Sequence, residues 1–143
     1  MKSLVNSLVL KFQTRDPFEI ASNLGIVVLE EPLGSINGYY NKILDVQFIH
    51  VNCELSECQK RFVVAHELGH ALLHPDFNFF FLNNETFFDI GKFEKEADQF
   101  AILLIVDKNA HDFQTVDELS AYYGFNEKIK NYLYDWGGKY GIC

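Results

Sequence analysis

Residues 65–70 read AHELGH, which sets His66 and His70 four positions apart with Glu67 between them. On a helix, positions i and i+4 leave the same face about 5.4 Å apart along the axis, so two imidazoles can converge on one cation. Glu67 borders that face. Its carboxylate can reach water beside the metal without ligating it, as a base that later protonates a leaving amine must. The spacing is the HExxH arrangement of zinc hydrolases, in which the metal lowers the pKa of water to about 7. His, His and one carboxylate with an open position suit zinc better than other divalent metals.

Such a centre takes three protein ligands, and the third has to come from elsewhere in the chain. His74 continues the i, i+4 series, but two turns put it about 12 Å along the axis from His66, too far for bonds near 2 Å. The extended HExxHxxGxxH pattern fails, because positions 73 and 76 hold Leu73 and Asp76. Residues 93–98, FEKEAD, offer Glu94 and Glu96. Acidic residues are favoured at a helix start by the dipole alone. Beside an HExxH helix, however, Glu94 is the favoured ligand. Asp98 lies on its face and can accept the outer N–H of a ligand histidine, while Glu96 points elsewhere.

These residues need elements to hold them. Asp16, Pro17 and Glu19 mark a helix start and Gly25 a stop, which predicts a helix from Pro17 to Leu24. Leu4, Leu8 and Phe12 share a face of an earlier one. Branched and aromatic residues punctuated by Gly, Pro and Asn predict three short antiparallel strands near Ile26 to Leu29, Ile36 to Asn41 and Val46 to Val51. Ser56 with Gln59 forms a capping box, and good helix formers then run to His74 before Pro75. A second helix is expected from Lys92 to Val106, with Phe93, Ala97, Phe100 and Leu104 as its apolar stripe. Thr115 and Glu118 cap a short helix ended by Gly124, and Asn126 starts a last one ending at Gly137 and Gly138.

The 143 residues, 48% hydrophobic with 3 prolines, fit one domain spanning 1–143, and no apolar run is long enough for a membrane span. With 20 acidic against 12 basic residues, the charge of -8 repels a phosphate backbone, so the tandem helices after Thr115 are not expected to bind nucleic acid directly. Cys53, Cys58 and Cys143 form an odd set without CxxC spacing and are expected as free thiols. Neither a signal peptide nor a membrane partner is expected, and the expected compartment is the cytoplasm.

The run FVVAHELGHALLH followed by FEKEADQFAILLI resembles the ImmA/IrrE family of zinc-dependent endopeptidases. DPFEIASNLGI, NGYYN, IHVN and TVDELSAYYGF resemble the flanking segments, so the similarity covers most of the chain. The resemblance implies a small zincin-like α+β domain, with a three-stranded antiparallel sheet packed on the HExxH helix and further helices around it. It also implies one zinc per chain on His66, His70 and Glu94, with Glu67 catalytic and Asp98 closing an ExxxD pattern. The implied substrate is a regulatory protein, the cognate repressor of a phage or mobile element. One departure is the run LLIVD, where the family often has a Leu-Leu-Met-Pro-like sequence. It is expected to change the helix exit and leave the site intact.

A second function stays open: a non-hydrolytic, zinc-containing antirepressor that works by masking its partner. Phe77, Phe79, Phe80, Phe81, Phe87 and Phe88 either pack into the core or rim a cleft that grips a peptide. Alternation puts one of Tyr39 and Tyr40 in the core, and the other beside a cleft edge. His50 and His111 are expected to be structural or solvated, with His111 an alternative transition-state donor.

Overall fold

A computed structural model of the chain describes residues 1–76, 90–107 and 113–140, with the side chains of 90 and 135–140 left aside. Phe77 to Phe88, His111 and Cys143, for which the sequence sets expectations above, lie outside the described residues. The chain divides into two compact units, residues 1–105 and 106–143.

The first unit opens with α1 (Lys2–Phe12), which buries Val5 and Leu8 and leaves Leu4 and Phe12 half-buried. In α2 (Pro17–Asn23), the Asp16 carboxylate accepts the Phe18 N–H and Pro17 occupies the first helical position. Three strands follow, β1 (Val27–Glu31), β2 (Gly38–Ile43) and β3 (Val46–Asn52), in the spatial order β1-β3-β2.

β2 and β3 form the expected antiparallel hairpin, turning through Leu44 and Asp45 at φ 49° and 65°. Two consecutive left-handed residues make the turn whose twist suits a two-residue hairpin loop. The orientation of β1 corrects the expectation of an all-antiparallel sheet, because β1 runs parallel to β3. The cause is the connection. Residues 32–37 carry the chain past the place β3 will take, so β3 returns between its predecessors and aligns with the first. Asn52, 3% exposed, fastens that crossing by donating its side-chain amide to the carbonyls of Gly34 and Ile36 at 3.0 and 3.1 Å.

Helix α3 (Glu57–Leu73) starts at the Ser56 and Gln59 capping box and ends at His74. It packs on the sheet, and Tyr40, Ile49 and Val51 of the strands and Val64 and Leu68 of the helix are all fully buried. Helix α4 (Ile90–Ile105) packs on α3 and buries Ala97, Phe100, Ala101, Ile102 and Leu104. Its end is met by the Arg15 guanidinium, which donates to the carbonyls of Leu103 and Leu104 and so fills acceptors that a helix terminus leaves open.

The second unit holds α5 (Val116–Tyr123) and α6 (Glu127–Tyr140). Thr115 accepts the Glu118 N–H, Gly124 takes φ 70° as the stop, and Asn126 accepts the Ile129 N–H. Val116, Leu119, Ile129 and Leu133 are buried. Asp117 of α5 pairs with Lys130 of α6 at 2.7 Å. The expected end at Gly137 and Gly138 is corrected, since α6 runs through both to Tyr140. Glycine inside a helix costs only about 1 kcal/mol, so it marks an end reliably only where φ turns positive. Among the described residues no helix is long and apolar enough to cross a membrane.

Candidate metal centre

The capping box and the absence of Pro within α3 hold it regular through the HExxH segment, so His66 and His70 leave one face. Their rings stand edge to face with centroids 4.8 Å apart. The α4 helix brings Glu94 to both. Glu94 Oε1 lies 2.9 Å from His70 Nε2, and Oε2 lies 3.1 Å from His66 Nε2. One ligand atom from each of these three residues falls within 4.8 Å of the others, the only such group of three among the described residues. One turn further along α4, Asp98 accepts the His66 Nδ1 proton at 2.7 Å. Its side chain is buried, and this bond leaves the Nε2 edge of His66 turned toward Glu94.

The helices approach closely because of Gly69. A Cβ there would stand 3.2 Å from the Ala97 Cα and the Phe100 Cβ, so a methyl group would press on backbone and on a fixed side-chain stem. Gly69→Ala is expected to weaken metal binding and to cost about 1–3 kcal/mol from overpacking, partly offset by the ~1 kcal/mol gain in helix propensity. Thermal melts with a zinc titration check this; unchanged affinity would show that α4 can give way without moving Glu94.

The protonation states follow from the packing. Burial opposes a charge on His66, but its bonds to Asp98 and Glu94 and the charges around it outweigh burial and hold its pKa at about 10. Burial and the neighbouring His66 charge push His70 below the ordinary imidazole value, against its bond to Glu94. Glu94 is held well below the usual carboxylate range, because hydrogen bonds from both histidines overcome its burial. Burial raises Glu67 to about 7, with Glu94 and Asp98 adding to the rise and His66 and His50 opposing it. Two nitrogens, a low-pKa carboxylate and a neighbouring carboxyl that titrates near neutrality can bind a divalent cation and move a proton beside it.

Glu96 turns away from Glu94 and pairs with His74, whose Nε2 lies 2.8 Å from Glu96 Oε2. His50 sits on the outer sheet face, bonded to Glu31 and Asn41 and stacked on Tyr39. Tyr40 is the core member of its pair and donates its hydroxyl to the Pro75 carbonyl at 2.6 Å. Cys53 and Cys58 are exposed free thiols. Sequence reasoning missed the roles of Gly69 and of the His74 and Glu96 pair. A glycine inside an otherwise strong helix was the one signal available for the first.

A small sheet on an HExxH helix, with a second helix presenting a carboxylate to both histidines, defines a zincin-like α+β domain. Residues 21–133 match the IrrE N-terminal-like domain, a peptidase family, and the chain belongs to it. It is 30% identical to metallopeptidase ImmA of Bacillus subtilis (strain 168) over 141 residues, 92% of this chain and 82% of that one. It is 37% identical to uncharacterized immunity region protein 2 of Bacillus phage phi105 over 107 residues, 74% of this chain and 68% of that one. The class is therefore metallopeptidase.

Proposed function

We propose that this protein is a zinc-dependent endopeptidase that hydrolyses a bond in a cytoplasmic regulatory protein, a helix-turn-helix repressor of a phage or mobile element. The observation that carries the reading is the convergence of His66, His70 and Glu94 with Glu67 on the adjoining position of the same helix. The names of the two relatives, one a metallopeptidase and one a phage immunity region protein, support the setting.

In this reading His66, His70 and Glu94 hold one zinc per chain. The metal supplies Lewis acidity, which makes water nucleophilic at neutral pH and polarises a carbonyl. Glu67, raised to about 7 by burial, takes the proton from the attacking water and returns it to the leaving amine. Asp98 holds the His66 ring by its Nδ1 proton throughout. The direct test is incubation of zinc-loaded protein with a purified helix-turn-helix phage repressor, read by intact-mass spectrometry. Two fragments summing to the repressor plus one water support the reading; an intact repressor under conditions that relieve repression favours masking without hydrolysis.

The proton inventory gives a pH dependence. Without metal, both His66 nitrogens donate and the ring is a cation up to a pKa of about 10. A cation at Nε2 displaces that proton, whereas neutral His70 needs only a change of tautomer. Zinc uptake near pH 8 is expected to release about one proton, and affinity to fall about tenfold per pH unit on acidification. Calorimetry in buffers of different ionisation enthalpy measures the release directly. No proton release would contradict the assignment of His66 Nε2 as a ligand atom.

A further inference from the structure

Helix α3 ends at Leu73 and α4 begins at Ile90. Sliding α4 along α3 by one turn would carry Glu94 about 5.4 Å from the histidines, so the contacts between the two helices bear on where its carboxylate lies. Gly69 fixes how near the helices come, Asp98 bonds to His66 one turn beyond Glu94, and Arg15 meets the far end of α4. None of these lies between Phe93 and Glu96, the stretch that carries Glu94.

The bond between His74 and Glu96 does. His74 stands one turn beyond His70 on α3, and Glu96 stands two residues beyond Glu94 on α4. The 2.8 Å contact between them ties the end of the histidine helix to the turn that bears the glutamate. Their side chains are 13% and 28% exposed, and the His74 ring rests on Phe93, with centroids 4.2 Å apart. Phe93 precedes Glu94 directly, so the glutamate is bracketed by two residues that touch His74. A shielded histidine and carboxylate pair is a poor source of stability, because desolvation consumes most of its attraction. What it supplies is direction.

We propose that His74 and Glu96 are positioning residues for the metal centre, joined across α3 and α4 so that the Glu94 carboxylate is presented to His66 and His70. The inference rests on the metal-centre reading above. Its test needs no peptide substrate: the zinc dissociation constant of the full chain by competition with a chromophoric chelator, and the ligand-field spectrum with cobalt in place of zinc.

Glu96→Ala and His74→Phe are each expected to weaken zinc binding 10- to 100-fold and to alter the cobalt spectrum. His74→Phe keeps a ring beside Phe93 and removes the bond to Glu96, so it carries the test if the alanine variant fails to fold. Glu96→Gln, which retains an acceptor oxygen for His74, is expected within about threefold of the parent, and the double variant no weaker than either single one. Parent-like affinity and spectrum in His74→Phe would overturn the proposal, as would Glu96→Gln behaving like Glu96→Ala or additive losses in the double variant. A parent chain that binds no zinc would instead overturn the metal-centre reading itself.

Discussion

Glu67→Gln is expected to retain zinc and to lose peptide hydrolysis by about 10²- to 10⁴-fold, the usual contribution of a positioned proton-transfer group. Gln has the size of Glu and cannot take the proton from water, while His66, His70 and Glu94 are left as they are. The same variant is expected to stabilise the metal-free protein. Burial raises Glu67 from 4.5 to about 7, so the folded state binds more protons than the unfolded one between those values. Stability therefore falls as pH rises through that window, and above it the buried carboxylate costs on the order of 3 kcal/mol. Gln removes the cost, so its gain in melting temperature appears at about pH 8 and vanishes as pH falls below about 4.5.

The pair of readouts separates the two functions that the sequence leaves open. Lost cleavage and lost relief of repression together mean that hydrolysis is the activity. Lost cleavage with relief intact means that the protein acts by masking. Undiminished cleavage in Glu67→Gln would remove Glu67 from the chemistry altogether, and its burial would then need another explanation.

Local signals were the ones that could be read in advance. The Asp16 and Pro17 start, the Ser56 and Gln59 box and the Gly124 stop each depend on residues within one turn, so short-range chemistry dictates them. The meeting of Glu94 and Asp98 with the histidines was legible for a related reason. Spacing of i, i+4 on each helix leaves few ways for two such faces to meet. Orientation of β1 was not legible, since alternation is the same in parallel and antiparallel strands and the choice lies in a crossing sealed by Asn52. The His74 and Glu96 bond was hidden similarly. Each residue looks unused on its own helix, and only the distance between helices joins them.

His66→Ala and Glu94→Ala carry the largest effect on the metal. Loss of an outer-shell partner costs 10- to 100-fold in affinity, so deletion of a ligand is expected to exceed that range, with Asp98→Asn falling inside it. The two ligand deletions differ in what they leave behind. His66→Ala leaves Glu94 on His70 and frees the Asp98 carboxylate of its hydrogen bond to Nδ1. Glu94→Ala leaves two imidazoles facing each other without the carboxylate that holds the His66 cation, and the His66 pKa should fall toward the ordinary value. Glu94 has a lowered pKa when folded, so its contribution to the metal-free fold is present above the ordinary carboxylate value and is lost on acidification. Glu94→Ala should therefore lower the melting temperature at neutral pH, and by less in acid. Elemental analysis gives the metal result, with about one zinc in the parent and far less than one in either deletion. Stoichiometric zinc in Glu94→Ala would show that α4 does not complete the site, and the search for the third ligand would pass to the rest of the chain.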